Sequence, residues 1–110
     1  MFKQFSYILY KFIKLIDFFF KFFFNRSFVS WFKDFSIGES YTSVKINEKK
    51  IKFFIPNHLT EWRVKTLFSK EPETISWINK FENKKKICFW DIGSNIGLYS
   101  IYASITHPDC

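Results

Sequence analysis

The sequence predicts an α/β fold that follows an N-terminal amphipathic helix. Three observations support this prediction: apolar residues dominate positions 1–26, a period-two alternation spans positions 44–55, and an apolar run at 87–90 leads directly into a glycine-containing turn. Hydrophobic residues make up 47% of the 110 positions, and Phe alone occurs 17 times. A chain with this much apolar side chain is not expected to be intrinsically disordered.

Charge and cysteine content restrict the function only weakly. The net charge of +7 comes mostly from lysine and would attract phosphate, anionic lipid or acidic substrates. Lys, Ile, Asn and Phe all have A/T-rich codons, so an A/T-rich genome explains the excess of positive charge equally well. The sequence contains no recognisable nucleic-acid-binding motif, so we expect no nucleic-acid partner. Cys88 and Cys110 form no disulfide framework, and His107 with Cys110 lacks the second pair of a zinc site. We therefore expect no metal and a reducing, cytoplasmic setting.

Residues 1–26 are predicted to form one amphipathic helix with a broad apolar face. A membrane span needs about 20 predominantly apolar residues with few charges, and charged residues interrupt this run. No small-residue cleavage site of a secretory signal is present. Two alternatives stay open: the helix packs on the rest of a larger protein, or it makes a peripheral membrane contact. At about 100° per residue, the polar residues share one stripe; they are Lys3, Gln4, Lys11, Lys14, Asp17 and Lys21.

A linker and a β-hairpin are expected next. Residues 27–40 are predicted to be a linker with a turn at Gly38. Apolar residues then alternate with polar ones at 44–46 and again at 51–55, which predicts a hairpin with one buried face. Pro56 ends the second strand because proline cannot donate to a sheet ladder.

Two helices should follow the hairpin. The first is expected to begin at Thr60 as N-cap and to run through Leu67. The second begins at positions 71–74, EPET, where proline suits the first turn and acidic residues complement the helix dipole. Its apolar positions continue to Phe81 and towards a basic break at 83–86.

Residues 87–105 predict a strand, a glycine turn and a helix in immediate succession. The apolar run at 87–90 is typical of a strand buried on both faces of a parallel sheet. Glycine lets the backbone turn sharply and approach a ligand, and a helix N-terminus offers N–H groups to a carboxylate or phosphate. Asp91 stands at the carboxyl end of the strand, where open α/β sheets bind ligands.

This arrangement suits the cofactor S-adenosylmethionine. Asp91 could hold the ammonium group, the helix N-terminus could receive the carboxylate, and Asn95 could cap the helix or bond the ligand. A dinucleotide site is disfavoured because its fingerprint has three glycines as G-x-G-x-x-G, and Asn95 occupies the middle position here. Acid-x-Gly-x-x-x-Gly is the methyltransferase version of the turn. A strand–helix turn with incidental glycines remains the alternative.

Several short segments between positions 53 and 105, taken together in their order along the chain, are more specific than the glycine turn alone. They are PNH at 56–58, EWRV at 61–64, EPET at 71–74, WI at 77–78 and FWDIGSNIGLYS at 89–100. With these segments the chain resembles the FkbM family of S-adenosylmethionine-dependent methyltransferases. Ser94 departs from the family pattern, which usually has Ala at this position.

The resemblance implies a Rossmann-like class I methyltransferase fold with S-adenosylmethionine as cofactor. The reaction is commonly methyl transfer to an oxygen of a sugar or small metabolite, so the partner would be a small-molecule methyl acceptor. By position, Asp91, Gly93, Asn95 and Gly97 would line the cofactor site, and Glu71 would lie near cofactor or substrate. No catalytic residue is implied.

Such a fold needs a second parallel strand, ending in an acid, about 20 residues after the turn. That strand would begin near positions 106–110, which are the last positions of the 110-residue sequence. We therefore expect residues 41–110 to be the N-terminal part of a methyltransferase domain, preceded by a helix and linker at 1–40, and to be inactive alone. The alternative is a small membrane-surface or interaction protein derived from a decayed methyltransferase.

Overall fold

The structure, a computed structural model, describes residues 1–82 and 86–110. The chain divides into two compact units, Met1–Glu39 and Ser40–Cys110. The predicted mixture of helices and strands is confirmed. The elements are α1 (Phe2–Phe24) and α2 (Val29–Gly38) in the first unit, and β1 (Tyr41–Ile46), β2 (Lys49–Phe54), α3 (His58–Lys65), α4 (Pro72–Asn79) and α5 (Leu98–Thr106) in the second.

The long N-terminal helix is confirmed, but the predicted linker after it is wrong. α1 ends where Asn25 adopts a left-handed conformation (φ 51°) and its N–H donates to the Lys21 carbonyl. The segment expected to be a linker instead forms α2, and Gly38 is the last residue of that helix rather than the centre of a turn. The N-cap residue of α2, Phe28, offers no capping side chain, so the sequence around it gives no helix-start signal.

Asp17 supplies the missing cap from α1. Its carboxylate is 2% exposed and accepts hydrogen bonds from Ser27 Oγ at 2.7 and 3.0 Å and from the Val29 N–H at 3.2 Å. The Lys21 ammonium lies 3.3 Å away. Burial acts to raise the pKa of Asp17, but the bonds from Ser27 and Val29 and the Lys21 charge outweigh it, so the pKa lies below 3.8. Asp17 therefore joins α1 to α2.

The predicted β-hairpin is confirmed. β1 and β2 pair antiparallel, with Val44 opposite Ile51 and Ile46 opposite Lys49. Asn47 and Glu48 between the strands both have positive φ, which is the conformation of a two-residue type I′ turn. One face of the hairpin packs into the core, where Ile46 is 1% exposed.

The N-cap of α3 lies three residues earlier than predicted because the cap is a reciprocal pair. Asn57, and not Thr60, is the N-cap residue. The Thr60 N–H donates to Asn57 Oδ1 at 3.0 Å, and the Asn57 N–H donates to Thr60 Oγ1 at 3.3 Å. This capping box satisfies two N–H groups at once. α4 begins after Glu71 as predicted and ends at Asn79, before Phe81.

The core of the second unit joins the hairpin to the three helices. Tyr102 donates from its hydroxyl to Asn79 Oδ1 at 2.8 Å, and His107 Nε2 donates to the Ile78 carbonyl at 2.8 Å. These two bonds connect α4 to α5 and to His107, the residue directly after α5. The buried apolar residues are Ile46, Phe53, Val64, Leu67, Ile78, Leu98, Tyr102 and Ala103.

The predicted parallel strand at 87–90 is not formed. Over residues 1–82 and 86–110 the only sheet is the antiparallel hairpin, and no part of a parallel, Rossmann-like sheet is present there. A strand exists only through hydrogen bonds to a neighbour, and no described segment pairs with 87–90. Phe89 packs at 6.0 Å from the rings of Trp77 and Phe81, while Trp90 is 77% exposed. Most of the predicted basic break at 83–86 lies outside the described residues.

Candidate functional site

The turn before α5 has the backbone that its glycines predict. Gly93 and Gly97 have φ of 78° and 73°, and Asn95 between them has φ of 55°. Space is not the constraint, because a Cβ on Gly97 would meet only Ile101 Cδ1, at 4.0 Å. The left-handed conformation itself selects glycine at these positions. Gly97 is the N-cap residue of α5, and the helix confirms the one predicted after the turn.

A cleft of about 340 Å³ lies between this turn, α3 and the start of α4. Four of the five predicted site residues line it, namely Glu71, Asp91, Gly93 and Asn95. Gly97 does not line the cleft and lies at the start of α5. The remaining lining residues are Arg63, Thr66, Leu67, Lys70, Thr74, Ile92, Ser94, Ile96, Leu98 and Tyr99. The volume is within the range of small-ligand sites.

Glu71 forms a fixed carboxylate in the cleft wall. The Tyr99 hydroxyl donates to Glu71 Oε2 at 3.0 Å, and the Lys70 ammonium lies 3.1 Å from Oε1. The hydrogen bonds from Lys70 and Tyr99 hold the pKa of Glu71 below its ordinary value. Burial, the bond to Glu71 and nearby carboxylates raise the pKa of Tyr99 to about 12. At neutral pH the pair is thus an anionic acceptor and a neutral donor.

Asp91 is oriented by the first turn of α5. Ser100 Oγ donates to Asp91 Oδ2 at 2.8 Å, across nine residues of sequence. Asp91 itself is partly buried and lines the cleft. The helix therefore fixes the direction of the acid that the sequence placed before the glycine turn.

Arg63, from α3, gives the cleft a positive group. Its Nε is buried and has no hydrogen-bond partner among the described residues. Its charge contributes to the lowered pKa of Glu71. With Arg63 and Lys70 beside Glu71 and Asp91, the cleft presents both signs of charge. Such a lining complements a zwitterionic ligand better than a purely anionic one.

Sequence reasoning did not assign Arg63, Tyr99 or Ser100 to the site. Tyr99 and Ser100 follow the glycine turn directly, so their place in the first turn of α5 could have indicated that they support it. Arg63 is 28 residues before Asp91, and no local pattern joins them.

Neither a metal centre nor a membrane span is found in the part of the chain that the structure describes. No group of three His, Cys, Asp or Glu side chains within residues 1–82 and 86–110 could hold a metal ion. Over the same residues, no helix combines the length and the apolar character that crossing a bilayer requires. No family model, curated protein or solved structure matches this chain.

Proposed function

We propose that Ser40–Cys110 is the cofactor-binding part of an S-adenosylmethionine-dependent methyltransferase with a Rossmann-like fold. One observation carries the proposal: the cleft combines Asp91, Gly93 and Asn95 of the glycine turn with Glu71, which is 20 residues earlier in the sequence. The resemblance to the FkbM family rests on the same segments. It supports methyl transfer to an oxygen of a sugar or small metabolite.

The charged lining fits the amino-acid end of this cofactor. A carboxylate such as Asp91 can accept from an ammonium group, and Arg63 can donate to a carboxylate. The left-handed backbone at Gly93 lets N–H groups approach a ligand without a side chain between them. When bound, the cofactor supplies a methyl group on a sulfonium, ready for transfer to a nucleophile. Asp91, Arg63 and the glycine turn would hold the amino-acid end of the cofactor, and no described residue is assigned to the acceptor side.

The test is a titration of the ¹⁵N-labelled chain with S-adenosylhomocysteine, followed by amide chemical shifts. We expect shifts for the amides of Gly93 and Asn95, which line the cleft. The shifts should saturate only at millimolar ligand, because the cleft is open and provides partners for one end of the ligand only. The Gly38 amide, in the other unit, should not move. NAD⁺ at the same concentrations should cause smaller changes.

Two substitutions separate specific from non-specific binding. Asp91→Asn keeps an acceptor for Ser100 Oγ but removes the charge, and should weaken binding at least about tenfold. Asp109→Asn changes the net charge equally at an exposed position outside the cleft and should have no effect. Equal weakening by both variants, larger shifts with NAD⁺, or no localised shift at the turn would refute the proposal.

A further inference from the structure

An apolar stripe on α1 is exposed along most of the helix. Its residues recur every three or four positions, and at about 100° per residue they fall within an arc of about 80°. The partly buried Ile13 and the buried Asp17 lie on a different side of α1, and Asp17 contacts the start of α2. We call this set the α1 stripe: Phe5 (66% exposed), Ile8 (66%), Phe12 (58%), Leu15 (54%), Phe19 (50%) and Phe23 (71%).

The exposed charges of α1 are all positive. Asp17 is the only acidic residue in the helix, and it is 2% exposed because it caps α2 and pairs with Lys21. From the sequence, Asp17 is expected to lie in the exposed polar stripe of the helix. In the structure its carboxylate is buried, so it contributes no negative charge to the surface of α1. The exposed basic residues of this segment are Lys3, Lys11, Lys14, Lys21 and Arg26.

We infer that α1 binds the surface of anionic membranes, with the α1 stripe in the acyl boundary and the lysines at the headgroups. An apolar face beside a basic face is the pattern of helices that lie in the membrane interface. A second copy of the chain is a poorer partner than an anionic surface, because each copy carries a net charge of +7 and the two would repel each other. Trp31 of α2, 68% exposed, adds an aromatic side chain of the type enriched at membrane interfaces. The inference depends on the first unit alone and is independent of the proposed enzyme activity.

Vesicle co-sedimentation of the full chain tests this inference. Vesicles of phosphatidylcholine with phosphatidylglycerol should bind the chain, binding should decrease at high salt, and phosphatidylcholine alone should bind much less. Lys11→Gln and Lys14→Gln should each reduce binding to the anionic vesicles about fivefold. Equal, salt-independent binding to both vesicle types would overturn the inference.

Neighbouring phenylalanines provide a matched pair of variants. Phe19 belongs to the α1 stripe, whereas Phe18, 62% exposed, lies among the lysines. Phe19→Gln should weaken vesicle binding about tenfold or more, and Phe18→Gln should change it little. Circular dichroism without vesicles checks that both variants keep the same helix content. Equal loss of vesicle binding in the two variants would overturn the inference. It would also be overturned if the chain self-associates in sedimentation velocity and does not bind vesicles.

Discussion

Replacing Ile78 with alanine tests how the core of Ser40–Cys110 supports the cleft. Ile78 lies in α4, is 0% exposed and packs in one cluster with Leu98 and Tyr102 of α5. Ile→Ala at a buried site typically costs about 2–5 kcal/mol, through lost transfer free energy and the cavity left behind. A unit of this size has a free energy of unfolding of about 4–10 kcal/mol. Ile78→Ala should therefore remove a large share of it.

Urea denaturation of the full chain, followed by tryptophan fluorescence and circular dichroism, measures this loss. Ile78→Val keeps most of the side chain and should cost about 0.5–1.5 kcal/mol. Ile92→Ala is the matched control, because Ile92 is 89% exposed and its truncation should stay within about 0.5 kcal/mol. If Ile78→Ala and Ile92→Ala unfold at the same urea concentration, Ile78 is not in a packed core and α4 does not pack on α5 through it.

Two further predictions concern the glycine turn and Asp17. Gly97→Ala should lower the free energy of unfolding by about 1–2 kcal/mol, because the φ of 73° at this position is unfavourable for an L-residue. The control is Gly38→Ala, which lies in open space at the end of α2 and should cause no loss. If urea denaturation shows equal losses of unfolding free energy for the two variants, the positive φ at Gly97 is not what requires glycine there. Since the folded pKa of Asp17 lies below 3.8, its stabilisation of the α1–α2 connection is present above that pH and is lost as the pH falls through the lowered value. The Val29 amide shift should follow this titration and become pH-independent in Asp17→Asn; a midpoint at or above 3.8 would refute it.

The sequence by itself determined the elements whose signals are local. The amphipathic period of α1, the alternation of β1 and β2, the Pro72 start of α4 and the glycines before α5 each act within a few residues. Backbone preferences and hydrophobic periodicity have that same range, so these elements could be predicted without knowledge of their neighbours. The turn that contains Asp91, Gly93 and Asn95 belongs to this class.

The tertiary structure decided the features that depend on distant partners. α2 forms where a linker was expected because its cap, Asp17, comes from another helix, 12 residues before Val29. The apolar run at 87–90 is not a strand because no described segment pairs with it, and sequence does not reveal whether a partner is present. Arg63 joins the cleft through the packing of α3, which no local pattern specifies. Hydrogen bonds and burial between distant segments form only when the chain folds, so their effects lie beyond what local sequence preferences can predict.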